Sequence, residues 1–275
     1  GLSCPNRDGS LSDMGCIFCS NGGSGEFATS CNYSITEQIE MAKERVSTKI
    51  KNGKYIAYFQ SFTNTYGNVD YLEKIFTEAI NYPDIVCLSI GTRPDCLPDD
   101  VIDLLNRLNK IKPVWIELGL QTIHEDTATY INRGYTLNIF DDAVSKLNAI
   151  GVEVIVHLIL GLPYETESDI LESVSYVCNK SISGIKLQLL HILKNTPLEK
   201  EYFLNKFHVF SLEEYTTLLG KCICTIPKNI VIHRITGDGP KSLLIAPQWS
   251  ADKKRVLNYI NKYFNDMDII QGKYL

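Results

Sequence analysis

Cys4, Cys16 and Cys19 stand in a C-x11-C-x2-C pattern inside one irregular, glycine-containing segment. Two cysteines separated by two residues turn both sulfurs toward one metal centre, and a third returns to it across a loop. Lengthening the first gap from a few residues to the eleven seen here costs only roughly 1 kcal/mol of closure entropy, small beside metal–ligand bonding. A structural zinc site is closed by four ligands, whereas an iron–sulfur cubane held by three leaves one iron open to a cofactor or substrate. Cys31, or a distant histidine, keeps a four-ligand zinc site open as the alternative. Asn21 to Gly25 follow the last cysteine, and their glycines let backbone approach a cluster or nucleoside closely, or simply form a flexible loop.

Further polar residues collect where predicted strands end. Gln60, Ser61, Thr63, Asn64, Thr65 and Tyr66 follow Tyr55 to Phe59; Thr92 and Arg93 follow Ile85 to Ile90; Gln121 and Thr122 follow Val114 to Leu120. His157 sits within the apolar run Val152 to Leu160, which ends at Gly161, and Lys186, Gln188 and His191 lie on or just after Ile185 to Leu190. Arg93 suits a carboxylate, Asn64 and Thr65 suit an ammonium or ribose hydroxyls, and Gln121 and Gln188 suit either. One such residue is ordinary core or surface chemistry; convergence from five strands marks a site. His233 to Lys241 adds a strand running into a tight polar turn, which places His233, Arg234 and Asp238 as candidates beside a substrate.

The elements that must position these groups alternate short apolar runs with longer amphipathic ones, a pattern that predicts parallel strands joined by helices. Ser34 and Glu37 form a capping-box pattern opening a helix to about Asn52, and Ser211 and Glu214 form another. Further helices are expected from about Tyr71, across Val101 to Ile111, Glu125 to Asn132, Phe140 to Ile150, within Asp169 to Cys178, and over Asp252 to Phe264. Ile230 to Ile235 is a late strand. About six βα units suit a partial barrel whose open side admits a large substrate. No linker, repeat or low-complexity stretch interrupts the 275 residues, so one domain is expected, with a core over about 1–200 and an extension over about 201–275. A cluster loop of this kind normally follows a first strand, yet the sequence begins only three residues before Cys4.

The chain is 44% hydrophobic, carries a net charge of −5 and has nine cysteines, unevenly spread. An odd, clustered set of thiols argues against a disulfide framework and for metal binding in a reducing, cytoplasmic setting. No apolar run reaches the length of a membrane span. The acidic balance argues against nucleic-acid binding through bulk positive potential. Local basic runs at Lys43 to Lys54 and Lys253 to Arg255 read as a patch or as solvated helix faces.

Taken with Cys4-Pro5-Asn6-Arg7-Asp8-Gly9, Cys16-Ile17-Phe18-Cys19, Thr92-Arg93-Pro94-Asp95, Glu117 to Gln121, Asn132-Arg133-Gly134, His157 to Pro163 and Thr236 to Lys241, the sequence resembles the radical S-adenosylmethionine (SAM) superfamily. Within it, the likeness is to the YhcC-like group related to the elongator catalytic subunit. The superfamily's common three-residue first gap is eleven here, and its usual Gly-Gly-Glu is replaced by the segment Gln60 to Tyr66. The resemblance implies a partial (β/α)6 TIM-like barrel with a C-terminal strand and helix extension. Cys4, Cys16 and Cys19 would hold a 4Fe-4S cluster and form the catalytic centre. Phe18, Gln60, Asn64, Thr65, Thr92, Arg93, Gln121, His157, Gly161 and Gln188 would bind SAM, and Tyr66, Lys186, His191, His233, Arg234 and Asp238 would face the substrate. It further implies reductive cleavage of SAM to a 5′-deoxyadenosyl radical, with flavodoxin or ferredoxin as electron donor. The implied substrate is the C5 side chain of tRNA wobble uridine, with Tyr66, Tyr135 or Trp249 stacking on a splayed base. A small-molecule or peptide substrate and a noncatalytic zinc module are the alternatives.

Overall fold

The run Ile85–Thr92 is apolar over most of its length and the run Glu153–Leu160 is aliphatic except at Glu153 and His157, because strands of a parallel sheet are covered on both faces. In a computed structural model, which describes residues 2–50, 53–237 and 239–275, these runs form β1 (Tyr55–Phe59), β2 (Ile85–Thr92), β3 (Val114–Gln121), β4 (Glu153–Leu160), β5 (Gly184–Leu189) and β7 (Val231–Arg234). They make one parallel sheet in the order β1-β2-β3-β4-β5-β7, curled as a partial barrel. Between β5 and β7 the chain forms β6 (Ile192–Leu193), which pairs antiparallel with β8 (Leu244–Ala246).

The α-helices among the described residues are α1 (Ile35–Val46), α2 (Val69–Asn81), α3 (Asp99–Asn109), α4 (Glu125–Tyr130), α5 (Leu137–Ala149), α6 (Glu167–Cys178), α7 (Pro197–Phe203), α8 (Leu212–Thr225) and α9 (Lys253–Asp266). Capping boxes open α1 at Ser34 and Glu37, α6 at Thr166 and Asp169, and α8 at Ser211 and Glu214, each satisfying two backbone donors at the helix start. α1 stops at Val46, short of the predicted end near Asn52. None of its residues is fully buried, so its last turns have only weak intrinsic propensity to hold them; Lys51 and Asn52 lie outside the described residues. Sheet and helices share one core, in which Leu72, Phe76, Leu104, Phe140, Leu147, Val174 and Leu219 are solvent-free. Phe76 meets Phe59 edge to face at 5.0 Å and fixes α2 on β1. A second apolar cluster around Ile131, Leu162, Ile192 and Leu198 packs with Ile17 and Phe18, seating the cysteine segment on the strand ends.

Candidate active site

The cysteine segment contains no helix or strand through Tyr33, so hydrogen bonds from outside must hold it. Asn6, buried, donates Nδ2 to the carbonyls of Asn132 (2.5 Å) and Arg133 (3.2 Å), and Asn132 returns a bond to Gly15 O at 2.7 Å. Asn132 takes a left-handed backbone (φ 55°) that an Asn side chain tolerates. Ile17 N donates to Ile131 O, Leu198 N to Ile17 O and Phe62 N to Gly23 O. Arg7 Nη2 clamps the carbonyls of Cys19 (3.1 Å) and Ser20 (2.6 Å). The loop is thereby tied to the turn after β1, the turn after α4 and the start of α7, and Cys4, Cys16 and Cys19 open onto one cavity at the barrel mouth.

Cys16 is unlike the other thiols. The thiol hydrogen bond with Cys19, helped by Arg93, the Asn6 amide and Arg7, outweighs burial and pulls Cys16 down to about 7. Burial alone pushes Cys178 up to about 12, and dominates at Cys87, Cys96 and Cys222, which reach about the same value. Cys16 thus resides where a thiolate is stabilised, while its hydrogen-bond partner Cys19 is pushed well above the usual thiol range by that bond and by burial. Cys31 is exposed and opens instead onto another cavity, of about 680 Å³, under α1 and β1.

The opposite side of the mouth-facing cavity is built from strands. Glu117 on β3 is buried, and its carboxylate collects four donors: Tyr58 Oη (2.8 Å), Ser89 Oγ (2.8 Å), His157 Nε2 (2.7 Å) and Lys186 Nζ. Gln188 Nε2 donates to His157 Nδ1 at 3.0 Å, which assigns a neutral imidazole carrying its proton on Nε2. Burial would raise the Glu117 carboxyl, yet hydrogen bonding and charge from His157 and Lys186 hold it well below the usual carboxylate range. Burial lowers both His157 and Lys186, and raises Tyr58 together with the Glu117 charge. In the register of the sheet, Gly119 on β3, His157 on β4, Lys186 on β5 and Arg234 on β7 form one row.

Two irregularities re-aim side chains in that row. β3 carries an extra residue between Gly119 and Gln121, and Gln121 adopts φ 72°. Its side chain lines the cavity, and Oε1 is buried with no partner among the described residues. β7 carries an extra residue between Ile232 and Arg234. Bulges of this kind turn neighbouring side chains out of strict alternation, and here Arg234 reaches the cavity wall while His233 packs edge to face on Trp115 at 5.3 Å.

A family model described as the Radical SAM superfamily matches residues 11–177, and one described as the Radical SAM C-terminal domain matches 182–266. The chain belongs to the radical SAM superfamily. Uncharacterized protein YtqA of Bacillus subtilis (strain 168) is 45% identical over 100% of this chain and 85% of its own length. Protein YhcC of Escherichia coli (strain K12) is 35% identical over 100% and 88%. The structure of the archaeal Methanocaldococcus infernus Elp3 with an N-terminal deletion superposes with a TM-score of 0.75 at 16% identity, covering 87% of this chain and 61% of that one, a likeness of fold. This radical SAM chain is thus one of a YhcC-like group related to elongator, and its cofactors are a 4Fe-4S cluster and SAM. The donor set fits them. Three thiols on one wall suit iron–sulfur ligation, and the orphaned Gln121 Oε1 suits a hydroxyl or ammonium donor.

Of the residues singled out in the radical SAM sequence, Phe18, Gln60, Thr92, Arg93, Gln121, His157, Gln188, His191 and Arg234 line the cavity with the three cysteines. Lys186 enters through Glu117. Arg93 is already engaged by Asp95 through Nε (2.9 Å) and Nη2 (2.8 Å) and lies 5.1 Å from the Tyr135 ring. Asn64, Thr65, Gly161, Tyr66 and His233 are not on the lining. Asn64 spends its amide on Phe59 O and Gly91 O, and Thr65 bonds Thr92 Oγ1 and Cys96 O, so both brace strand ends. Gly161 (φ 91°) sits against Phe210, and Tyr66 pairs with Ser10 at 2.8 Å. Asp238 lies outside the described residues. Trp249 donates to Phe210 O and stacks at a tilt on Tyr215, a core role, while Tyr135 is buried with its hydroxyl on Gly119 O. Lys43 and Lys54 share Asp84, a paired surface.

Glu117, Tyr58, Arg133 and Glu26 are on the lining but had no site role in the sequence reading, although Glu117 and Arg133 stand in motifs that carry the family resemblance. Arg133 is buried and fixed by the carbonyls of Leu120, Thr122 and Tyr135 and by Glu125 at 3.3 Å. A charged residue inside a strand that must be covered on both faces was the available signal for Glu117, since such a group needs a partner.

Proposed function

We propose that this radical SAM enzyme holds its cluster through Cys4, Cys16 and Cys19. SAM would lie along Phe18, Gln60, Thr92, Arg93, Gln121, His157 and Gln188. The substrate would be the C5 side chain of the tRNA wobble uridine, with carboxymethylaminomethyluridine converted to aminomethyluridine as the concrete form: the carbon beside the nitrogen would lose a hydrogen atom to the SAM-derived radical and a second electron to an acceptor, and water would then release the two carbons as glyoxylate. The observation that carries the reading is the single cavity in which three thiols face a polar floor borne by β3, β4, β5 and β7. When bound, the cluster and SAM supply one-electron reductive cleavage to a 5′-deoxyadenosyl radical.

The chain's own residues position and shield. Arg7 and Asn6 hold the cysteine loop, Gln121 offers an unpaired acceptor, and Phe18 and Tyr135 help exclude water from a site where a primary radical would otherwise attack solvent-borne groups. The uridine assignment rests on the group's relation to elongator. An external reductant such as flavodoxin or ferredoxin supplies the electron. Among the described residues no helix is long and apolar enough to cross a membrane.

Modified nucleosides in tRNA from cells with and without the gene test the substrate. Carboxymethylaminomethyluridine should accumulate, and aminomethyluridine and anything built from it should fall away, when the gene is lost; unchanged tRNA would sink this assignment. The net charge of −5 and the pairing of Lys43 and Lys54 with Asp84 favour, as the second reading, a small molecule or peptide in the same cavity.

A further inference from the structure

Among the described residues four guanidiniums and two carboxylates line the cavity, and the surplus can be located. Arg93 is engaged by Asp95 and Arg133 by three carbonyls and Glu125, while Arg7 is held by the carbonyls of Cys19 and Ser20 and shares the lining with the Glu26 carboxylate. Lys186 and Glu117 neutralise each other, and His157 carries no charge in its hydrogen-bonded form. Arg234 is left. It lines the cavity, is half-buried, and has no carboxylate or carbonyl partner among the described residues. The bulge in β7 is what turns it inward.

Its surroundings are polar and closely approached by backbone. Lys186 is its register partner on β5, with Gln188 two residues farther along the same strand. The turn after β7 brings Gly237 and Gly239 onto the cavity wall against His191. A Cβ on Gly237 would stand 2.6 Å from the imidazole and 3.0 Å from Leu189 O, so a residue without a side chain is required for this approach. The cations acting on Cys16 are Arg93 and Arg7, whereas Arg234 acts on Tyr58, His157 and Lys186. The register places Arg234 beside Lys186, in the strand-borne row that holds His157.

We propose that Arg234, with the Gly237 and Gly239 backbone, forms an anion subsite that takes a carboxylate of the substrate. The inference deepens the proposed function and rests on it, since a carboxymethylaminomethyl side chain ends in that group. One guanidinium with no carboxylate partner among the described residues matches one monoanion, and its planar fork meets a carboxylate with two parallel hydrogen bonds. Anchoring the carboxylate at the floor suspends the C–H bonds beside it between the floor and the cysteines.

Binding to the anaerobically prepared holoenzyme, with SAM present and reductant withheld so that nothing turns over, tests the subsite. One probe pair is carboxymethylaminomethyluridine and its carboxamide; a second, N-benzylglycine and N-benzylglycinamide, keeps the same terminus without uridine. The acid should bind about tenfold or more tighter than the amide, as a charge-assisted pair implies. Arg234→Gln should bring that ratio within twofold, Arg234→Lys should restore part of it, and thermal melts should be unchanged. Acid preference with the benzyl pair alone would keep the subsite and discard the uridine. Equal binding of acid and amide in both pairs, or a preference that survives Arg234→Gln, would overturn the subsite whatever the tRNA nucleosides show. Uridine 5′-monophosphate competing as well as the acid, in an Arg234-dependent way, would overturn the carboxylate assignment in favour of phosphate.

Discussion

The two poles of the cavity are built by different means. Cys4, Cys16 and Cys19 ride on a segment without regular structure, fastened by side-chain amides, one guanidinium and a few backbone bonds. Glu117, His157, Lys186 and Arg234 ride on adjacent strands whose register fixes them before any ligand arrives. A metal organises its own ligands and needs a loop able to close around it. A polar group recognising a substrate must be pre-placed, because buried charge left without partners is costly. The cysteine pole should therefore be essential to chemistry and dispensable to folding, and Glu117 the reverse in emphasis.

Cys16→Ala gives the largest expected effect. SAM cleavage, read as 5′-deoxyadenosine formed under reducing anaerobic conditions, should fall below detection, while the melting temperature of the metal-free protein stays within a few degrees of wild type. Collapse of the melt would make the loop part of the folding core and erase the contrast. Glu117→Gln should act on stability. Removing one partner of a buried ion pair leaves the other uncompensated and costs about 3 to 5 kcal/mol, which for a chain of this size lowers the melting temperature by on the order of 10 °C. Adding Lys186→Met to Glu117→Gln should recover much of that loss. Independent, additive losses would mean that the two residues do not act as a pair.

A smaller effect follows from pH. The Glu117 carboxyl is held lower in the folded protein than in the unfolded chain, so its contribution is fully present above the unfolded value near pH 4.3 and is lost as pH falls below it. Denaturant midpoints should thus drop from about pH 4.5 downward, and the Glu117→Gln, Lys186→Met variant should show a flatter acid limb. Identical limbs would place the acid sensitivity in other carboxylates.

What the sequence disclosed follows the same division. Aliphatic runs such as Val154 to Leu160 announce buried parallel strands because both faces are covered, and the capping boxes at Ser34 and Ser211 mark helix starts through local bonds. The pairing of β6 with β8 was illegible, because two- and three-residue strands carry no periodicity. The cysteines were legible by spacing. Glu117 was not, since its partners lie 28, 40, 59 and 69 residues away and meet only through the register. Arg234 needed a bulge that alternation does not foretell. Asn64 and Thr65 have the chemistry of ligand contacts, yet unsatisfied strand-end groups claim them first.

The smallest expected effect bears on the number of ligands at the cysteine pole. Cys31 is exposed and lines the cavity under α1, apart from the one shared by Cys4, Cys16 and Cys19. A four-thiolate zinc module would need to draw it across, together with the turns between Gly22 and Tyr33 that carry its backbone. Cys31→Ser should then leave iron and sulfide content, SAM cleavage and melting temperature as in wild type. If instead anaerobically purified wild-type protein held one zinc per chain without iron or sulfide, and Cys31→Ser released it, the cysteine pole would be a closed structural site. The strand-borne floor would then face no open iron, and the asymmetry between the two ends would lose its chemical meaning.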